Sequence, residues 1–290
     1  MQPPQGSFTS FLKRLLLRKP IKHPRFQRLW SRLHTITIFG MNYGGGGLIE
    51  SSGEIWVLSQ IVSKACKDNP SPVLFDVGAN VGDYSLCLRD HMPAARIYAF
   101  EPAESVYQEL VSRIDGAGAD QIKPYKVGFS DSEKLVKLYS YTVEGHDASV
   151  LSSIDQRLPT QVLDVRTHRS DEIEVQTVDG FCAAHGIDRI DFLKLDVEGH
   201  ELSVLRGAQR MLTAGLISMI QFEFGPANIY SRTYFFDFWS LLSGMYDIFR
   251  IVPQGIAPIY CYGEHHEIFL TTNYLALKKR DLQIPASRKL

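Results

Sequence analysis

No stretch of this 290-residue chain comes near the roughly 18 consecutive apolar residues needed to cross a bilayer, and Leu15-Leu16-Leu17 is too short for a signal-peptide core. Nothing in it suggests export, so a cytoplasmic protein is expected. Cysteine is scarce: the four residues, at 66, 87, 182 and 261, lie far apart, with no C-x-x-C and no histidine-rich pairing. Reduced thiols are expected rather than a disulfide framework. Neither the G-x-G-x-x-G of a dinucleotide site nor the Lys-Ser/Thr of a P-loop is found in the glycine-bounded turn described below. Internal repeats and low-complexity tracts are missing too.

Acidic residues are missing from one region only. Residues 1–40 carry Lys13, Arg14, Arg18, Lys19, Lys22, Arg25, Arg28 and Arg32 without a single Asp or Glu, while the whole chain sums to -1, leaving about -9 for the rest. Within this arm Phe8, Phe11, Leu12, Leu15 and Leu16 fall at i, i+3, i+4, i+7 and i+8, and Phe26, Leu29, Trp30 and Leu33 repeat the pattern after Pro24. Two amphipathic basic helices are predicted. They would cover the domain or a second copy, or lie on a membrane surface; nucleic acid is not expected, since aromatic-basic interleaving does not continue into the body.

What is present is a hydrophobic content of 44%, enough for one large α/β domain over 41–290. Its most informative segment is Val73-Leu74-Phe75-Asp76-Val77-Gly78-Ala79-Asn80-Val81-Gly82. It reads as a strand buried on both faces that ends in an acid and a glycine-bounded turn. The next apolar strand, Ile97-Tyr98-Ala99-Phe100, runs into Glu101 and Pro102. A carboxylate there can accept both hydroxyls of a ribose. An acid beside the turn repels phosphate and suits a cation, so the pair fits S-adenosylmethionine, with its sulfonium, amino group and ribose diol. A solvent-facing Asp and a helix-capping Glu are the alternative.

Downstream, strands and helices alternate as in a parallel sheet. Strands are predicted over 73–77, 96–101, 122–127, 190–196, 217–224, 246–252 and 267–277, with short extra ones at 134–141 and 173–177. Helices are predicted over 54–68, 82–90, 103–114, 201–213 and 232–244. The polar stretch 142–171 is a lid or a disordered excursion, and Gly44-Gly45-Gly46-Gly47 is a loop near a ligand or a plain linker.

A second acidic cluster, Asp196, Glu198, His200 and Glu201, follows the strand Ile190-Asp191-Phe192-Leu193-Lys194-Leu195; Glu223 closes the strand after it. Glu201 suits the first turn of the following helix. Taken together, DVGANVGDYS, YAFEP, KVGFSDSE, IDFLKLDVEGHELSVLRGA and IQFEF resemble, in matching order, the FkbM-type S-adenosylmethionine-dependent methyltransferases. The resemblance implies a Rossmann-like class I fold with a seven-stranded, mostly parallel sheet of order 3-2-1-4-5-7-6, and methyl transfer to a hydroxyl of a sugar, glycan or natural product. It also implies that Asp76, Gly78, Asn80 and Gly82 form the cofactor turn with Tyr84 nearby. Glu101 would hold the ribose, Phe129, Ser130 and Asp131 would lie beside the adenine, and Asp196 would face the methionine end.

An aliphatic hydroxyl, with a pKa near 15.7 like water, would cost about 12 kcal/mol to ionise at neutral pH, so a base is needed. His200 is the first choice, with Glu223 or Asp196 behind it. Asp196, Glu198 and Glu223 could also offer oxygens to Mg²⁺. Two other readings share parts of the pattern: a nicotinamide-dependent oxidoreductase, and a non-catalytic binding module that uses the basic arm at a membrane surface.

Overall fold

The computed structural model describes residues 22–143, 151–154 and 165–279. The predicted amphipathic helix around Phe8 to Leu16 lies outside the described residues. Among the described residues twelve strands follow in chain order: β1 (Val73–Val77), β2 (Arg96–Phe100), β3 (Ile122–Tyr125), β4 (Gly128–Phe129), β5 (Lys134–Val143), β6 (Leu151–Ser153), β7 (Val165–Gln176), β8 (Ile190–Leu195), β9 (Ile217–Phe224), β10 (Tyr246–Val252), β11 (Gly255–Ile259) and β12 (Thr272–Lys278).

Eight of them form one sheet in the order β11-β10-β12-β9-β8-β1-β2-β3. The five strands from β9 to β3 pair in parallel, and β12 runs antiparallel to both β9 and β10. The expected seven-strand arrangement therefore gains an eighth member. The chain turns back from β10 through Pro253 and Gln254, and β11 pairs antiparallel along its outer edge.

Alternation along the central strands explains how both faces are covered. Val73, Phe75, Val77, Phe100, Leu193 and Phe222 enter one buried cluster, while Leu74, Ile97, Ala99 and Phe192 enter another. Neighbouring residues point to opposite faces, so an uninterrupted apolar strand feeds two cores. Helices Asp83–His91 and Glu104–Gly116 contribute Leu88, Leu110 and Ile114 to the second cluster; Val178–His185 contributes Phe181 and Cys182 to the first.

Three expectations need correction. The stretch 142–171 is in part the far end of a β-ribbon: β5 pairs antiparallel with β7, and β4-β7-β5-β6 makes a second, four-stranded sheet. The helix expected over 201–213 is two helices, Glu201–Arg206 and Gln209–Thr213. At the break the Asp179 carboxylate accepts the backbone N–H groups of Arg210 and Met211, restarting the helix. The last strand begins at Thr272 rather than 267; Glu267 instead accepts the backbone N–H groups of Phe235 and Phe236.

Candidate active site

The cleft opens at the carboxyl ends of β1, β2, β8 and β9, where doubly wound sheets bind ligands. After β1 the chain turns at Gly78 (φ +82°), whose N–H donates to the Phe100 carbonyl at 3.0 Å. A Cβ here would run into the carbonyl oxygen of Asp196, so β1 and β8 approach this closely only with glycine. Asn80, also left-handed (φ +48°), donates its N–H to Glu101 Oε2 at 3.1 Å. Ala103 N–H binds Glu101 Oε1 at 2.9 Å. Each carboxylate oxygen retains a lone pair beside the cleft. Burial pushes the Glu101 carboxyl up to about 7, against the two N–H bonds that favour its charge.

Two lobes share Gly78, Asn80, Asp196 and Glu198. The first is a slot between Glu101 and the apolar side chains of Phe100, Val127, Phe129 and Leu138. The second is polar, with Glu54, Tyr84, Lys194, Asp196 and Glu223 on its walls.

Beneath the polar lobe runs a buried row across three strands. Asp76 on β1 is in register with Lys194 on β8, and Lys194 with Gln221 on β9. Lys194 Nζ lies 3.0 Å from Asp196 Oδ2, 3.8 Å from Asp76 Oδ1 and 4.5 Å from the centre of the Tyr84 ring. Burial opposes its charge, but Asp196, Asp76 and Glu54 outweigh that and hold the ammonium pKa above its usual value. Ser85 Oγ donates to Asp76 Oδ2 at 2.6 Å, Tyr84 Oη to Gln221 Oε1 at 3.1 Å, and Gln221 Nε2 to Glu54 Oε1 at 2.6 Å. Two residues further along the same faces come Gly78, Asp196 and Glu223, at the floor of the cleft.

Most residues expected at the site do converge: Gly78, Asn80, Tyr84, Glu101, Phe129, Asp196 and Glu223 line one lobe or both. Asp76 does not. It is fully buried under the turn, and burial raises its pKa above the ordinary carboxylate value despite Lys194 and Ser85. Gly82 caps helix Asp83–His91 behind the turn. Ser130 is buried and Asp131 faces Lys134, at 2.8 Å, on the surface; neither lines the slot.

His200 is the main correction. It lines neither lobe; its Nε2 is 3.0 Å from Ser130 Oγ, and burial pulls its pKa down to about 4. Glu201 instead organises the loop above Asp196: its Oε1 accepts the N–H groups of Val197 and Gly199, and burial pushes the carboxyl up to about 8. Glu223 is raised well above the usual value, first by burial and then by Asp196, Glu198 and Glu201. The Mg²⁺ arrangement gains no support, since no group of three or more metal-capable side chains converges among the described residues.

Sequence reading missed Lys194, Glu54 and Gln221. A lysine inside Phe192-Leu193-Lys194-Leu195 was the available signal, because a charge on a strand covered on both faces must be paired. Glu54 and Gln221 carried no comparable mark.

A mostly parallel sheet with this strand order, a glycine turn after β1 and an acid closing β2 defines the class I methyltransferase fold. The family model described as the Methyltransferase FkbM domain matches residues 76–247, more than half of the chain, so the chain belongs to the FkbM methyltransferase family. Relatives include the AMB antimetabolite synthetase AmbE of Pseudomonas aeruginosa, 30% identical over 167 residues (48% of this chain, 8% of that protein). Methyltransferase 1 of Beauveria bassiana is 27% identical over 143 residues (46% of this chain, 57% of that one), and the 2-O-methyltransferase NoeI of Sinorhizobium fredii is 26% identical over 171 residues (58% and 69%). The chain thus spans less than two thirds of the first two. Neither the oxidoreductase nor the non-catalytic reading gains support from this membership.

Proposed function

We propose that this protein transfers the methyl group of S-adenosylmethionine to a hydroxyl of a sugar, glycan or natural-product acceptor. The observation that carries the reading is Glu101, fixed by two backbone N–H groups in the wall of an apolar slot that shares Gly78, Asn80, Asp196 and Glu198 with a carboxylate-walled lobe. The residues fit the cofactor. Phe100, Phe129 and Leu138 offer walls for an adenine, Glu101 has acceptor capacity for a ribose diol, and the acidic lobe suits an amino group and a sulfonium. When bound, the cofactor supplies an electrophilic methyl group. A hydroxyl acceptor is supported by the family and by a relative named as a 2-O-methyltransferase.

Glu223 is the group best placed to take the hydroxyl proton. It lines the lobe, and its raised pKa makes its carboxylate a stronger base than an exposed one. Asp196 is the alternative, although it is already paired with Lys194 at 3.0 Å. The test is transfer of labelled methyl from S-adenosylmethionine to a panel of glycans and small polyols. Glu223→Gln is expected to lower turnover roughly 100-fold or more with cofactor affinity little changed, and His200→Ala to retain wild-type turnover within a few-fold. A large loss in His200→Ala alongside an active Glu223→Gln would reverse the assignment.

A further inference from the structure

Helix Gln27–Gly40 has no buried residue along its fourteen positions. A helix of that length is marginal in water unless something packs against it. Leu29, Leu33 and Ile36 fall at i, i+4 and i+7 as one stripe, and Phe39 extends it; they are 51%, 41%, 66% and 60% exposed. An apolar surface of this kind left in water marks an interaction site.

The charges beside the stripe have one sign. Lys22, Arg25, Arg28 and Arg32 accompany it, and the first acid of the whole chain is Glu50. Apolar side chains on a segment whose only charges are cations match an anionic lipid surface, where the stripe enters the headgroup boundary and the guanidinium groups meet lipid phosphates. We propose that Gln27–Gly40 is an interfacial helix that docks on an anionic membrane.

The placement ties docking to the cleft. The Phe39 ring lies against Gly44, where a Cβ would sit 3.2 Å from it, and the Gly46 N–H donates to the Thr271 carbonyl at 3.0 Å. Gly46, Gly47, Leu48 and Ile49 then form one rim of the polar lobe. Docking holds that rim close to the lipid surface. The inference is independent of the methyl-transfer reading.

The test is co-sedimentation of the full chain with vesicles of phosphatidylcholine alone or mixed with phosphatidylglycerol, at low and high salt. Wild type is expected to pellet with the anionic vesicles at least tenfold more tightly than with the neutral ones, and to be released by salt. Arg28→Gln with Arg32→Gln is expected to weaken binding by roughly fivefold per arginine, and Leu33→Asp with Ile36→Asp to abolish it. An unchanged thermal transition shows that the variants fold; Leu33→Ser offers a milder change if they do not. Absence of vesicle binding, or equal binding by wild type and both double variants, overturns the proposal. So does a self-associated species in ultracentrifugation that Ile36→Asp dissociates while vesicle binding is absent, because a second copy then covers the stripe.

Discussion

Glu101 shows how a single carboxylate can couple cofactor binding to pH. With its pKa raised to about 7, it is partly protonated in the free protein near neutrality. A ribose diol donates two hydrogen bonds, which favours the ionised form, so binding below pH 7 releases a proton. Affinity for S-adenosylmethionine is expected to tighten by up to tenfold per unit as pH rises from 5.5 to 7, and to level off above. Calorimetry in two buffers of different ionisation enthalpy measures both the affinity and the proton; an affinity constant from pH 5.5 to 8 would remove Glu101 from the ribose site. Glu101→Gln should weaken binding roughly 10- to 100-fold, in line with about 1.5–3 kcal/mol for hydrogen bonds to a charged group, and lose the pH dependence. Glu101 was legible in the sequence because an acid ending an apolar strand before Pro102 has few structural reasons to be there. Asp76 looked the same and is not the same. Its register partner is Lys194, a pairing set by long-range contact between β1 and β8 that linear spacing cannot express.

At the scale of elements, the break at Gly207 carries a test. Its position presses the chain against the Ser130 carbonyl, where a Cβ has no room, and its own carbonyl accepts the Asp179 N–H at 3.0 Å. Gly207→Ala is expected to destabilise the protein by at least about 2 kcal/mol, a shift that thermal unfolding resolves. A transition temperature equal to wild type would mean that the junction relaxes freely. The same junction shows where the sequence stops being readable. Periodicity across 201–213 is helical throughout, and only the Asp179 carboxylate, thirty residues upstream, restarts the second helix. The central strands were legible because their apolar runs are local. β11 was not, since an edge strand buries too little to leave a pattern; of the β5–β7 ribbon, 134–141 and 173–177 were legible as short strands, but not their pairing across the intervening stretch. Leu138 on that ribbon nonetheless walls the slot.

For the whole molecule, buried acids make stability fall as pH rises through neutrality. Glu201 and Glu101 titrate at about 8 and about 7 in the folded chain against an ordinary 4.5. Each therefore binds a proton in the folded state that the unfolded state has released. Their contribution is complete below 4.5 and is lost as pH climbs through their folded values. His200 runs the other way: lowered to about 4 from 6.5, it adds stability as pH rises between those values and nothing further above. His266, also lowered by burial, opposes the acids below 6.5 as well; above 6.5 both histidines are neutral in either state, and Glu101 and Glu201 act unopposed up to about 7. Glu54, Asp76 and Glu223, also raised, steepen the same slope. One net proton corresponds to about 1.36 kcal/mol per pH unit, or roughly 2–4 °C in a chain of this size. The transition temperature of the free protein is expected to decline from pH 5 to 8.5, most steeply around neutrality. Glu201→Gln keeps an oxygen for the Val197 and Gly199 N–H groups and removes the titration, so its curve should be flatter and cross that of wild type on the alkaline side. Parallel curves for the two proteins across this range would show that Glu201 is ionised throughout.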